Sequence, residues 1–229
     1  MHEIKSVTAG TLRLAPNRTF ASLISNPIYM FHKKYPLVQI DWRSPRSDFE
    51  VSDFVEQGRC DIGFCRRPQS SPQLDFHPIS QSQLVAIYAA NSNFGAVSDP
   101  VSRISDPLSR ISDPLSWSEV SQLPMIAPPI GSAARSGLER IFTERSLHIN
   151  VCMEVEHFES RLEMVRMGAG ATLVERASIK HLDGLEVRAV HPPLHSEIGL
   201  IHRFEPLLPA AIAFKNLVID HFSTHRSST

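Results

Sequence analysis

Cysteine is scarce. Among 229 residues only Cys60, Cys65 and Cys152 occur, too few and too oddly spaced for a disulfide framework or a thiolate zinc site. If Asp61 to Phe64 is a strand, Cys60 and Cys65 sit at its two ends about 16 Å apart, beyond bridging range. All three read as structural thiols, with Cys65 expected at the mouth of a site. A surplus of either charge is also missing: 23 Lys and Arg face 24 Asp and Glu, for a net charge of −1. That balance excludes a stand-alone nucleic-acid-binding module, whose phosphate contacts need clustered basic residues. No apolar run approaches the roughly 20 residues of a bilayer span, and the N-terminal Met-His-Glu-Ile-Lys-Ser-Val lacks the apolar core of a secretion signal. The expectation is a cytoplasmic chain with no membrane partner. No triad, carboxylate pair or phosphate loop is visible, so neither catalytic residues nor a cofactor are expected. Of the eleven histidines, only His221-x-x-x-His225 has metal-like spacing. It lacks a third ligand nearby in sequence and reads as a surface pair, so no metal is expected.

What is present begins with Val155 to Glu175. Leu162, Val165 and either Met164 or Met167 share a helical face, Gly168 stops the helix, and Ala169 to Val174 is a short apolar strand. A dinucleotide turn needs strand, then glycines, then helix. Gly168-x-Gly170 has the reverse order and predicts tight packing between helix and strand.

The opening shows the same periods. Thr11 to Ala15 predicts a strand. Leu23, Ile24, Ile28, Phe31 and Tyr35 predict a helix ended by Pro36, with Pro27 either in its first turn or at a kink. Leu37 to Trp42 reads as strand, Asp48 to Gln57 as helix with Phe49 and Val55 inward, and Asp61 to Phe64 as a third strand. This alternation predicts parallel strands joined by crossover helices. Leu74 to Ser80 and Gln83 to Ala89 read as two further strands, the second crossing into another lobe. Later elements are a short helix (Trp117 to Leu123), a strand (Pro124 to Ala127), a turn, a helix (Ala133 to Arg145) with Leu138, Ile141 and Phe142 on one face, and strands at Asn150 to Val155, Leu185 to Val190 and Ile198 to Ile201. A final amphipathic helix covers Pro209 to Phe222. Between residues 98 and 118 stand three near-copies of a seven-residue unit built on Ser-Asp-Pro. They are too short, polar and proline-punctuated for a solenoid, and predict an expanded surface loop.

Six stretches in one order carry a family resemblance: Gly10-Thr-Leu-Arg-Leu, Phe31-His-Lys-Lys-Tyr-Pro36, Gly58-Arg-Cys-Asp-Ile-Gly63, Leu123-Pro-Met-Ile126, Met164-Val-Arg-Met-Gly-Ala-Gly170 and Leu208-Pro-Ala-Ala-Ile-Ala-Phe214. Together the chain resembles the effector-binding (substrate-binding) domain of LysR-type bacterial transcriptional regulators from Gly10 to Phe222. The resemblance implies an α/β fold of two Rossmann-like lobes joined by two crossover strands, like periplasmic binding proteins. Lobe I would hold residues 10–82 and 198–229, and lobe II residues 83–197. Residues 1–9 would be a remnant of a linker, with the helix-turn-helix that touches DNA absent from this chain. Dimers or tetramers formed through this domain are implied as well. A transport-type solute-binding protein with the same clamshell is the alternative. The sequence departs from the family in its seven-residue repeats, and in Val174-Glu175, which stands where Leu-Pro is usual.

In an open parallel sheet ligands sit beyond the carboxyl ends of the strands. Those ends are Asn17-Arg18-Thr19, Arg43-Ser44 with Arg46 nearby, and Phe64-Cys65-Arg66-Arg67. Arginines converging from three segments predict an anionic effector, a small carboxylic acid above all. Thr19 can cap the following helix while facing ligand. From the second lobe, Ile130-Gly131-Ser132 precedes a helix that Ser132 can cap, while Gly131 lets backbone approach ligand. Phe64 and Phe158 are candidate apolar walls, and Glu175 an acidic group near the cleft by family analogy.

Overall fold

The computed structural model describes residues 9–68, 72–92, 94, 114–179 and 181–226. The repeat segment from Ser98 to Asp113 lies outside them. Strand β1 (Gly10–Pro16) leads through a 3-10 turn (Ala21–Ile24) into helix α1 (Ser25–Lys34), followed by β2 (Val38–Trp42), α2 (Asp48–Glu56), β3 (Ile62–Arg66) and the long β4 (Leu74–Ala89). Then come β5 (Leu115–Ser116), α3 (Trp117–Gln122), β6 (Met125–Ala127), α4 (Ala133–Thr143), β7 (Val151–Glu154), α5 (Phe158–Arg166), β8 (Thr172–Glu175), β9 (Leu185–His191), β10 (His195–Arg203) and α6 (Pro209–Arg226). Two compact units result. One runs to Ser82 and resumes at Ser196; the other is Gln83–His195.

Both units are built on one plan. In the first, β1 lies between β2 and β3 and parallel to both, pairing Leu12 with Ile40 and Ala15 with Gly63. Antiparallel β10 follows β3, setting Leu200 opposite Phe64, and the first half of β4 lies beyond it. In the second, β6 pairs in parallel with β7 and through Met125 and Ala171 with the approach to β8. Antiparallel β4 follows β8, and β9 follows β4. This is the Rossmann-like arrangement expected of each lobe.

Local chemistry sets the helix starts. Ser47 Oγ accepts from the Glu50 N–H at 3.1 Å to cap α2, and Ser116 with Glu119 forms a reciprocal capping box on α3. The first core gathers Leu12, Leu14, Phe31, Phe64 and Phe214, all shielded from solvent, with the Phe214 ring edge-on to Phe31 at 5.2 Å and to Phe64 at 6.2 Å. The second holds Trp117 against Phe142 at 5.6 Å, packed with Tyr88, Leu115 and Val120. Each such buried side chain contributes about 1.5–3 kcal/mol relative to exposure.

Some expectations are corrected and others are resolved. Residues 74–89 form one strand, because the polar Ser80-Gln81-Ser82 continues the extended chain instead of turning. Helix α1 starts at Ser25, later than the apolar spacing suggests, since Ala21–Ile24 coils more tightly as 3-10. Pro27 sits in that first turn, where its missing N–H costs nothing. On α2, Val51, Ser52 and Val55 face inward while Phe49 is 83 % exposed. Met164, not Met167, joins Leu162 and Val165 in the packed face of α5. Gly168, at φ 83°, ends that helix, and a Cβ on Gly170 would meet the Pro124 carbonyl oxygen at 2.5 Å, the close packing that the glycine pair predicts.

Candidate functional site

In the first unit the rim at the carboxyl ends of β1 and β3 is organised by an aspartate. Asn17 is buried; its N–H donates to the Phe64 carbonyl at 2.8 Å, its Oδ1 accepts from the Thr19 N–H at 2.9 Å, and its Nδ2 donates to Asp48 Oδ1 at 2.7 Å. The other carboxylate oxygen of Asp48 takes Arg66 Nη1 at 2.8 Å. The Arg66 guanidinium also lies 5.1 Å from the Phe20 ring centre. Asp48 therefore ties the ends of two parallel strands to the start of α2. It was not among the expected site residues, because its sequence position marks it only as an acid in the first turn of a helix.

The arginine rim is less cationic than the sequence implies. Arg43 is held by Asp41 at 2.9 Å and Arg67 by Glu197 at 2.5 Å, while Arg66 belongs to Asp48. The hydrogen bond from Arg43 keeps the Asp41 carboxyl below its ordinary pKa. Arg18 and Arg46 are exposed, and neither guanidinium has an ion pair among the described residues. Ser44 is exposed with its Oγ accepting from Trp42 Nε1 at 3.1 Å. Thr19 does not cap α1, which follows the 3-10 turn without a side-chain cap; what it contributes is an N–H held by Asn17. Ser22 Oγ is buried in the same turn without a hydrogen-bond partner.

Phe64 and Cys65 do not line a rim. Central strand β3 has neighbours on both sides, so both residues are fully buried, Phe64 against Phe214 and Cys65 among Val51, Val55 and Leu74. Burial pushes the Cys65 thiol well above its ordinary pKa and the Cys60 thiol up to about 11. Both are structural; only Cys152 is exposed.

In the second unit the turn between β6 and α4 presents Ile130 and Gly131 to solvent. Gly131 stands at φ 83°, and a Cβ there would meet nothing within 4 Å. Ser132 Oγ accepts from the Arg135 N–H at 3.2 Å and donates to the Pro129 carbonyl at 2.8 Å, so it caps α4 as the sequence predicts. Arg135, buried on α4, anchors this turn through the Pro128 carbonyl at 3.2 Å and Glu154 at 3.1 Å, while Glu154 also accepts from the Ile130 N–H. Phe158 is half-buried at the start of α5, 5.5 Å from the Arg161 guanidinium. Arg161 is itself buried; its Nη1 donates to the Val155 carbonyl at 3.2 Å and its Nε has no hydrogen-bond partner. Burial lowers its pKa. Glu175 closes β8 with its side chain buried, not presented as a rim group.

Asp75, His77 and His202 bring three possible metal-ligand atoms together in the first unit. Sequence alone did not reveal this cluster because its two histidines lie 125 residues apart; the Asp-x-His pair on one face of β4 was the available signal. The side chain of His225 lies outside the described residues. Among the described residues no helix is long and apolar enough to cross a membrane.

The sequence matches the family described as LysR substrate binding domain over residues 5–223. Similar solved structures include the regulatory domain of CcmR from Synechocystis PCC6803 in complex with 2-PG (16% identity, TM-score 0.75, covering 93% of this chain and 97% of that one). The effector-binding domain of QuiR in complex with shikimate aligns at 18% identity and TM-score 0.71 over 95% of this chain and 99% of that one. The effector-binding domain of BenM with its effector benzoate aligns at 17% identity and TM-score 0.72, over 95% and 94%.

Proposed function

Because the chain belongs to the LysR substrate binding domain family, we propose that it is the sensor of a transcriptional regulator and binds a small organic anion at the strand-end loops of its two units. The carrying observation is a pair of strand-end loops that present exposed groups on a hydrogen-bonded scaffold while the nearby cations are mostly matched. In the first unit Asn17 fixes the Thr19 turn next to exposed Arg18, and Ser44 is exposed after β2; in the second Ser132 and Arg135 hold an exposed Gly131 turn. The exposed Arg18 guanidinium and Ser44 hydroxyl suit a carboxylate, which accepts several hydrogen bonds at once. Benzoate and shikimate, the ligands of two relatives, are both carboxylates.

Phe158, half-buried at the start of α5, offers an apolar contact in the same unit. Phe64, Cys65 and Glu175 have no part in it, being buried. The effector would act by preferring one conformational state, and its regulatory effect is bounded by that difference in affinity. The domain is not an enzyme in this reading, and it assembles as a dimer or tetramer, which sedimentation of the purified chain over a range of concentrations tests.

Calorimetry on a panel of aromatic and aliphatic carboxylic acids with their neutral amides tests the ligand class. Saturable binding of at least one acid, weakened about tenfold or more by Arg18→Ala or Gly131→Val, is the expected result. Binding confined to the amides removes the anionic effector.

A further inference from the structure

We propose that Asp75, His77 and His202 form a binding site for a divalent transition cation of the zinc type, with one coordination position left to solvent. His77 Nε2 and His202 Nε2 are 3.1 Å apart, and Asp75 Oδ2 is 3.1 Å from the first and 3.7 Å from the second. A point equidistant from the three atoms lies about 1.9 Å from each, so a cation less than about 1 Å out of their plane makes three bonds of about 2.0–2.2 Å, the range of zinc with imidazole and carboxylate. The ring centres are 5.2 Å apart although the Nε2 atoms nearly touch, so the imidazoles meet by their Nε2 edges rather than lying face on face.

The protonation pattern suits a ligand set. His202 Nδ1 lies 2.6 Å from the Arg203 carbonyl, which can only accept, so Nδ1 carries the proton and the Nε2 lone pair points at the cluster. That lone pair is approached from two sides, by His77 Nε2 and by Lys215 Nζ at 3.2 Å from α6. A single lone pair accommodates one proton donor well. A cation satisfies it together with His77 and Asp75, and Lys215 then swings toward solvent. His202 is buried, while His77 and Asp75 are 29 % and 40 % exposed, which gives the ion an entry side and a place for a bound water. Two histidines and one carboxylate with an open position is a set used by zinc and by other first-row divalent ions.

The backbone supplies the rigidity such a site needs. Asp75 and His77 alternate onto one face of β4, His202 comes from β10, its neighbour in the sheet, and Lys215 from the packed helix α6. A bound ion would cross-link β4 to β10, the two strands within which the chain passes between its compact units.

The test is titration of the metal-free 229-residue chain with zinc chloride by calorimetry, and with cobalt chloride by visible absorption. The site is expected to take one equivalent of zinc, and cobalt to give the intense bands of a low-coordinate nitrogen and oxygen environment. His77→Ala and Asp75→Asn, both at partly exposed positions, are expected to weaken zinc binding by at least about 10- to 100-fold, the loss seen even when only outer-shell partners are removed. Lys215→Met removes the competing ammonium and should leave binding equal or tighter. Absence of one-equivalent binding would overturn the site, as would binding that His77→Ala and Asp75→Asn leave unchanged while His221→Ala abolishes it.

Discussion

The side-chain amide of Asn17 donates to the carboxylate of Asp48 across 2.7 Å, joining the loop after the first strand to the first turn of α2. Asn17 is only 4 % exposed, so its amide has no water to turn to if Asp48 is lost. Asp48→Ala is therefore expected to lower unfolding free energy by about 1–3 kcal/mol, the cost of an unsatisfied buried donor. Arg66→Ala, which leaves that bond intact and removes a half-exposed ion pair, should cost under about 1 kcal/mol. Urea unfolding of the two variants checks the order; equal losses would show that the ion pair, not the amide, holds the loop.

Two glycines should respond to alanine with opposite signs. A Cβ at Gly170 meets backbone oxygen at 2.5 Å, and nothing flexible can yield, so Gly170→Ala should destabilise by about 1–3 kcal/mol. Gly137 lies inside α4 with nothing within 4 Å, and alanine there should stabilise by roughly 0.5–1 kcal/mol. Thermal unfolding measures both, and a stabilised Gly170→Ala would refute the close packing of β6 and β8.

Thiol chemistry distinguishes the three cysteines. Cys152 is exposed while Cys60 and Cys65 are buried. A disulfide reagent at neutral pH should titrate one thiol rapidly in the folded chain and all three in denaturant. Rapid reaction of a second thiol in the folded chain, with Cys65 identified by mass mapping, would place that residue back at a rim.

Alkaline stability follows from buried acids held neutral, the Cys60 and Cys65 thiols and the Tyr88 phenol. Burial raises Cys60 from 9.0 to about 11, and burial followed by the hydrogen bond with Glu186 raises Tyr88 from 10.0 to about 12. The unfolded chain releases these protons first, so their contribution is full below about pH 9 and is lost as pH rises through about 11 and then about 12. Unfolding free energy should fall over that window, and Cys60→Ala should make the fall shallower between about pH 9 and about 11, leaving the share of the buried Cys65 thiol. A flat profile from about pH 9 to about 11 would contradict the buried thiol.

Element order was legible because each strand and helix carries its own period: Leu12 and Leu14 alternate, and Leu138 and Phe142 recur every fourth residue. Caps were legible for the same local reason, as at Ser132. Phe49 was misplaced because hydrophobicity alone does not say which face of a short helix meets the sheet; Val51 and Val55 filled that role. The rim was partly hidden for a different reason. Asp48 and Glu197 neutralise Arg66 and Arg67 through pairings that only the folded chain brings together, one of them spanning 130 residues, while the Asp41–Arg43 pair lies within three consecutive residues. The Asp75, His77 and His202 cluster escaped notice for the same reason.

Backbone amide spectra recorded while a carboxylate effector identified by calorimetry is titrated into the chain test the ligand site most directly. Saturable shifts centred on Thr19, Ser44, Gly131 and Ser132, absent with the matching neutral amide, are the expected result. Shifts confined to other surfaces, or equal shifts with acid and amide, would show that these loops do not hold an organic anion.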